Sequence, residues 1–141
     1  VRRYWSLVGS PERTAIMGHC MGGRQTLLGA ATVPGFRCAI DCYGGGVLRA
    51  QGPGPTVFER LAGITCPVAG FFGVNDTNPP PEDVRKVEAE LKRLGVDTDF
   101  HIYDDTGHGF MDPDQTRYVE ASAKDAWARI LVFLNRHLAA S

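Results

Sequence analysis

Gly18-His19-Cys20-Met21-Gly22-Gly23 is the stretch on which the reading of this chain turns. A short apolar run at 13–17 enters it, and a run of good helix formers at 22–31 leaves it. Strand, tight turn and helix in that order, with a nucleophilic side chain at the turn and glycines two positions to either side, describe a nucleophile elbow, here with Cys where Ser is more usual. The spacing has a physical basis. Side chains at the flanking positions would meet neighbouring backbone in so sharp a turn, and glycine removes that conflict. The helix that follows aims its dipole and its first free N–H groups at the sulfur, which favours the thiolate and steadies a developing oxyanion. The plainer alternative is a core cysteine with glycines beside it by chance. The strand-turn-helix context argues against that.

Outward from the elbow, strands and helices alternate. Residues 1–8 read as the end of a helix and 9–12 as a turn. Residues 36–43 form a second strand, closed by Gly44-Gly45-Gly46. Residues 47–56 have turn composition throughout and read as a loop, a candidate partial lid; 57–62 read as one helical turn. Residues 66–74 are a nearly unbroken apolar run, as a strand buried on both faces requires. Residues 82–94 are the clearest helix: Val84, Val87, Leu91 and Leu94 recur at 3-4-3 spacing, charges occupy the other face, and Gly95 stands at the stop. Residues 97–103 alternate as a strand. Residues 116–138 form a long amphipathic helix with Tyr118, Trp127, Ile130, Leu131 and Leu134 as core residues. This order predicts an α/β fold with a parallel sheet and right-handed crossovers. Ligands of such sheets bind beyond the carboxyl ends of the strands, where Cys20, Tyr43, Asp76 and His108 stand.

Asp76, in Gly73-Val74-Asn75-Asp76, follows the 66–74 strand. Alone it reads as a turn residue or helix cap. His108, in Thr106-Gly107-His108-Gly109-Phe110, follows the 97–103 strand, and two glycines let the loop present its imidazole. Alone it reads as a surface histidine. Together they say more. Nucleophile, acid and base occur in the order Cys, Asp, His, each after a strand of one parallel sheet, so all three converge on one sheet edge as a triad demands.

Four linked motifs carry a resemblance: Gly18-His19-Cys20-Met21-Gly22-Gly23, Asp41-Cys42-Tyr43-Gly44-Gly45-Gly46, Phe71-Phe72-Gly73-Val74-Asn75-Asp76 and Tyr103-Asp104-Asp105-Thr106-Gly107-His108-Gly109-Phe110. With the final helix and its Tyr118 and Trp127, the chain resembles the dienelactone hydrolase (carboxymethylenebutenolidase) family over nearly its whole length. The resemblance implies an α/β-hydrolase fold and hydrolysis of a lactone or carboxylic ester through an acyl-thioenzyme. Cys20 would be the nucleophile, His108 the general acid/base and Asp76 the residue that orients His108. The Met21 N–H would be an oxyanion donor, with Tyr43 and Arg24 as substrate-binding residues. No metal or organic cofactor is expected. Family members that act on dienelactone carry an Arg shortly after the catalytic His. Here that segment is Phe110-Met111-Asp112-Pro113-Asp114, and Arg24 and Arg49 are candidates to take its place. The resemblance places residues 1–141 as the C-terminal half of an α/β-hydrolase fold, a parallel sheet of about four strands flanked by helices. The strands and the second oxyanion donor expected ahead of the elbow are not in this sequence, and the strand at 13–17 would then present an unpaired edge.

Composition narrows the alternatives. The 141 residues, 43% hydrophobic and 22% charged, suit one domain with a real core. A formal charge of −1 offers no basic surplus for nucleic acid, and no apolar run approaches a membrane span. Cys20, Cys38, Cys42 and Cys66 make no disulfide framework and read as reduced thiols of a cytoplasmic protein. The expected partner is a small-molecule ester or lactone, for a monomer or homodimer. Four Cys and four His contain no Cys-x-x-Cys, which argues against a metal site. A glutamine-amidotransferase-like domain also places a Cys on an elbow, but its acid/base pattern differs. The remaining rival is a non-catalytic, redox-sensing α/β module derived from a hydrolase.

Overall fold

The chain's apolar runs become the strands of one sheet. The structure, a computed structural model, describes residues 13–138; the helix end expected at 1–8 and the turn at 9–12 lie outside the described residues. Strands β1 (Ala15–His19), β2 (Cys38–Cys42), β3 (Val68–Gly73) and β4 (Thr98–Tyr103) pair in chain order, all parallel. β2 and β3 are buried at every position, which explains their unbroken apolar character. Helices α1 (Met21–Thr32), α2 (Val57–Arg60, continued by a 3₁₀ turn at Leu61–Gly63), α3 (Pro81–Arg93) and α4 (Glu120–Leu138) flank the sheet. Alternation along β2 divides the core: Ala39 joins Leu27, Leu61, Val87 and Leu91 of α1–α3, whereas Cys38, Ile40 and Cys42 join Ala126, Ile130 and Phe133 of α4. No helix among the described residues is long and apolar enough to cross a membrane.

Several boundaries differ from the sequence reading; the strand read at 66–74, for one, spans Val68–Gly73. β1 runs two residues later than 13–17, because its ladder to β2 continues through Gly18 opposite Asp41 and His19 opposite Cys42. The strand expected at 36–43 contracts to 38–42, since Tyr43 takes a positive φ of 44° and its N–H makes the last bond to β3, at the Phe71 carbonyl. α4 begins at Glu120 rather than 116; the Val119 N–H is drawn to the Phe110 carbonyl at 3.1 Å. The α4 core is also corrected. Trp127 is 42% and Leu131 62% exposed, while the buried stripe is Ala123, Ala126, Ile130 and Phe133. Each of the two misassigned residues follows a stripe residue by one position, about 100° around the helix. Two alanines in the stripe let the helix lie close to the sheet.

Candidate active site

The elbow forms where β1 ends. Cys20 takes φ 58°, ψ −123°, a strained conformation for a residue with a side chain. Its N–H donates to the Cys42 carbonyl at 2.9 Å, the last bond of the ladder before the chain turns into α1. Gly18 permits the turn, since a Cβ there would lie 2.2 Å from the Gly22 carbonyl oxygen. Gly22 itself has open space around it, so the steric demand for glycine falls on one side of the nucleophile only. α1 starts without a side-chain cap; the Gly23 N–H donates to the Cys20 carbonyl at 3.0 Å, whereas the Met21 N–H, at the first helical position, has no intrahelical partner.

Loops at the ends of β3 and β4 complete the arrangement. Asp76 is buried. Its Oδ1 accepts from the Asn78 N–H (2.8 Å), and its Oδ2 faces His108 Nδ1 (2.8 Å). A carboxylate only accepts, so Nδ1 donates and Nε2 is the nitrogen left for the sulfur. His108 Nε2 lies 3.0 Å from Cys20 Sγ. The three residues proposed from sequence therefore stand in one hydrogen-bonded line. The acid is 1% exposed and the imidazole 26%, so the line runs from core to surface.

Tyr43 is a wall of the site rather than an open arm. It is buried, its ring meets His108 edge-on at 5.4 Å, and its hydroxyl is paired with His19 Nδ1 at 2.8 Å. Burial holds the hydroxyl's pKa above its usual value, and burial likewise lowers that of His19 against the opposing pull of Asp112. Arg24 donates to the Gly45 carbonyl (3.4 Å), and Arg49 to Asn78 Oδ1 (2.7 Å). Both line an open groove of about 560 Å³ between α1 and the 47–56 loop, with Arg60 beside them. Asp112 joins His19, Tyr43, Met111 and Trp127 around a depression of about 280 Å³. Cys20 is exposed, whereas Cys38, Cys42 and Cys66 are buried, and burial pushes the Cys38 thiol up to about 11. Among the described residues no cluster of three or more His, Cys, Asp or Glu could hold a metal.

Two residues to which the motif reading gave no role belong to this region. Asn78 fixes one oxygen of Asp76, which only the folded loop reveals. Asp41 lies buried behind the elbow; a single charge inside the apolar run 38–42 is the sequence signal that marks it.

Comparison with known proteins establishes the family and the fold. The family model for the dienelactone hydrolase family matches residues 2–138. A Salmonella typhimurium protein assigned as a carboxymethylenebutenolidase is 35% identical over 125 residues, covering 87% of this chain and 46% of the relative. A Klebsiella pneumoniae crystal structure assigned as a dienelactone hydrolase superposes with TM-score 0.85 at 27% identity, over 95% of this chain and 57% of that one. An α/β hydrolase from a deep-sea metagenome shares the fold at TM-score 0.76 and 17% identity, over 97% of this chain and 59% of its own. The chain thus spans about half the length of the curated relatives it matches. With the family model matched along nearly every residue, this chain belongs to the dienelactone hydrolase family.

Proposed function

We propose that the chain hydrolyses a lactone or carboxylic ester, with Cys20 as nucleophile, His108 as general acid/base and Asp76 as the residue that orients His108. The observation that carries this reading is the line Asp76 Oδ2–His108–Cys20 Sγ, with contacts of 2.8 and 3.0 Å. The order of events follows from the roles. Cys20 gives its proton to His108 Nε2 as sulfur attacks the substrate carbonyl carbon. The carbonyl oxygen gains the negative charge and leans on the Met21 N–H. The C–O bond then breaks, and Nε2 returns the proton to the leaving oxygen. A thioester on Cys20 remains. Water gives a proton to His108, adds to the acyl carbon and expels the thiolate, which recovers its proton. Asp76 holds the Nδ1–H throughout and offsets the imidazolium charge. Tyr43 backs His108, and Arg24 and Arg49 are candidate cations for an anionic substrate group. The names of the relatives favour a lactone.

An activated ester such as p-nitrophenyl acetate tests the mechanism. The expected result is a burst of nitrophenol with a mass of one acetyl group trapped on Cys20, lost in Cys20→Ala. Equal turnover by Cys20→Ala overturns it. The contrast of an exposed Cys20 with three buried thiols favours one second reading, a redox-sensing module. Oxygen addition at Cys20 under dilute peroxide, with no ester turnover, would select that reading.

A further inference from the structure

A buried carboxylate stands directly behind the site, and the chemistry above does not use it. Asp41, the fourth residue of β2, is 1% exposed. Both of its neighbours across the sheet are glycines, Gly18 on β1 and Gly70 on β3. Two more glycines close over it. A Cβ on Gly23, in the first turn of α1, would sit 2.1 Å from Asp41 Oδ1, and a Cβ on Gly44 would sit 2.4 Å from the same atom. The carboxyl group fills a socket that Gly23 and Gly44 leave open, with Gly18 and Gly70 beside it in the sheet. On its far side a cavity of about 10 Å³, lined by Val47, Phe72, Val84 and one other acid, Asp83, is no larger than a water.

An acid in an inner strand is costly, because burial disfavours its charge and no cation among the described residues pairs with it. What it secures is the turn that leaves β2. Asp41 Oδ1 accepts from the Gly44 N–H at 2.8 Å. The Tyr43 N–H donates to the Phe71 carbonyl (2.8 Å), and the Cys20 N–H to the Cys42 carbonyl (2.9 Å). Three bonds around one strand end therefore hold Cys20 and Tyr43, the non-glycine residues with positive φ among those described. Tyr43 in turn stands edge-on to His108.

We propose that Asp41 is a positioning residue for the Cys20–His108 pair, its side-chain oxygen holding the Tyr43–Gly44 turn and seating the first turn of α1. The proposal rests on Cys20 being the nucleophile. The working part of Asp41 is its acceptor, not its charge. Burial pushes the carboxyl up to about 7, against the pull of the Gly44 N–H, so near neutrality both forms are present and both offer Oδ1. Asparagine supplies the same acceptor. Leucine has a similar branched shape and supplies none.

The test compares wild type, Asp41→Asn and Asp41→Leu in p-nitrophenyl acetate turnover, in Cys20 alkylation by iodoacetamide, and in thermal melting. Asp41→Asn is expected to keep kcat within about threefold of wild type. Asp41→Leu is expected to lose about 10²-fold in kcat with KM nearly unchanged, the scale set by a misplacement of about 1 Å. Its Cys20 alkylation should slow while Cys38, Cys42 and Cys66 stay unlabelled, showing an intact sheet. A wild-type kcat in a folded Asp41→Leu overturns the proposal, and so does an Asp41→Asn as impaired as Asp41→Leu. Should leucine overfill the socket, Asp41→Ala takes its place; if neither folds while Asp41→Asn is normal, Asp41 is structural only and the proposal fails. Wild-type turnover that survives Cys20→Ala is a separate outcome, read first, and overturns the nucleophile assignment instead.

Discussion

α1 and α3 flank the same sheet and follow strands of it, yet they are built in opposite ways. α3 is laid out to be stable. Pro81 occupies its first turn with Glu82 and Asp83, Lys92 and Arg93 occupy its last, and both ends suit the helix dipole. Lys92 pairs with Glu88 and Arg93 with Glu90, each at 2.6 Å. Gly95, at φ +79°, lets the Val96 N–H turn back to the Leu91 carbonyl (3.0 Å) and close the helix. Val84, Val87 and Leu91 are buried beneath. α1 buries Leu27 and Ala30 but lacks the terminal devices. Its N-cap is the strained Cys20 without a side-chain hydrogen bond, its first turn has no acid and its last no base, and it contains Gly22, Gly23 and Gly29. The difference teaches what the site requires: a helix start left open toward a sulfur cannot be capped by a carboxylate or hydroxyl of its own. α3 and the strands supply the stability that α1 forgoes.

The comparison is most directly broken at Cys20. Cys20→Ala should remove ester turnover by at least about a thousandfold. The melting temperature should hardly move, because alanine keeps the same backbone strain. Cys20→Gly, equally inactive, should melt higher, since glycine adopts φ 58° freely; the strain relieved is about 1 kcal/mol or more. If both variants melt with wild type, the elbow stores no strain and α1 is not the weaker partner.

Leu91→Ala is the matching change in α3. Leu91 is 0% exposed, and its truncation should cost about 2–5 kcal/mol in urea unfolding. A loss below 1 kcal/mol would show that α3 does not anchor its side of the core.

Next in size is a pH effect from the socket beneath α1. The Asp41 carboxyl has an ordinary value of 3.8 and is raised to about 7 in the folded chain. Between those values the native state holds a proton that the unfolded chain has released. Stability from this group is therefore present below about pH 4, declines as pH rises toward 7, and is level above. Asp41→Asn should abolish that decline in urea midpoints measured across the interval. An unchanged slope would mean that Asp41 is ionised in the fold.

The smallest pair sharpens the contrast in sign. Gly95→Ala should destabilise by about 1 kcal/mol through its positive φ. Gly22→Ala, with open space around it, should stabilise α1 by about 0.5–1 kcal/mol. Equal shifts in one direction would remove the argument that α1 carries glycine at some positions for want of need rather than want of room.

Much of this was legible in the chain itself. The strand-elbow-helix pattern, the four parallel strands and the order Cys20, Asp76, His108 all follow from local composition, because each turn sits between an apolar run and a change of period. The α4 phase was not legible: 116–138 offers apolar residues on most of its circumference, and only the sheet selects Ala126 and Ile130 over Trp127 and Leu131. The roles of Arg24 and Tyr43 also looked more direct in sequence than in the fold, where a carbonyl holds one and His19 engages the hydroxyl of the other.

The amino-acid sequence by itself determined which residues could do chemistry and where each stands along a strand-helix repeat, since glycine spacing, apolar period and side-chain type are local properties. Only the tertiary structure decided that Nε2 of His108 lies 3.0 Å from the sulfur, that Asn78 holds the far oxygen of Asp76, and that Gly23 of α1 closes with Gly44 over the Asp41 carboxyl. Those are contacts between segments up to 88 residues apart, or within turns that have no pattern of their own, and the distant ones exist because parallel pairing brings successive strand ends to one edge.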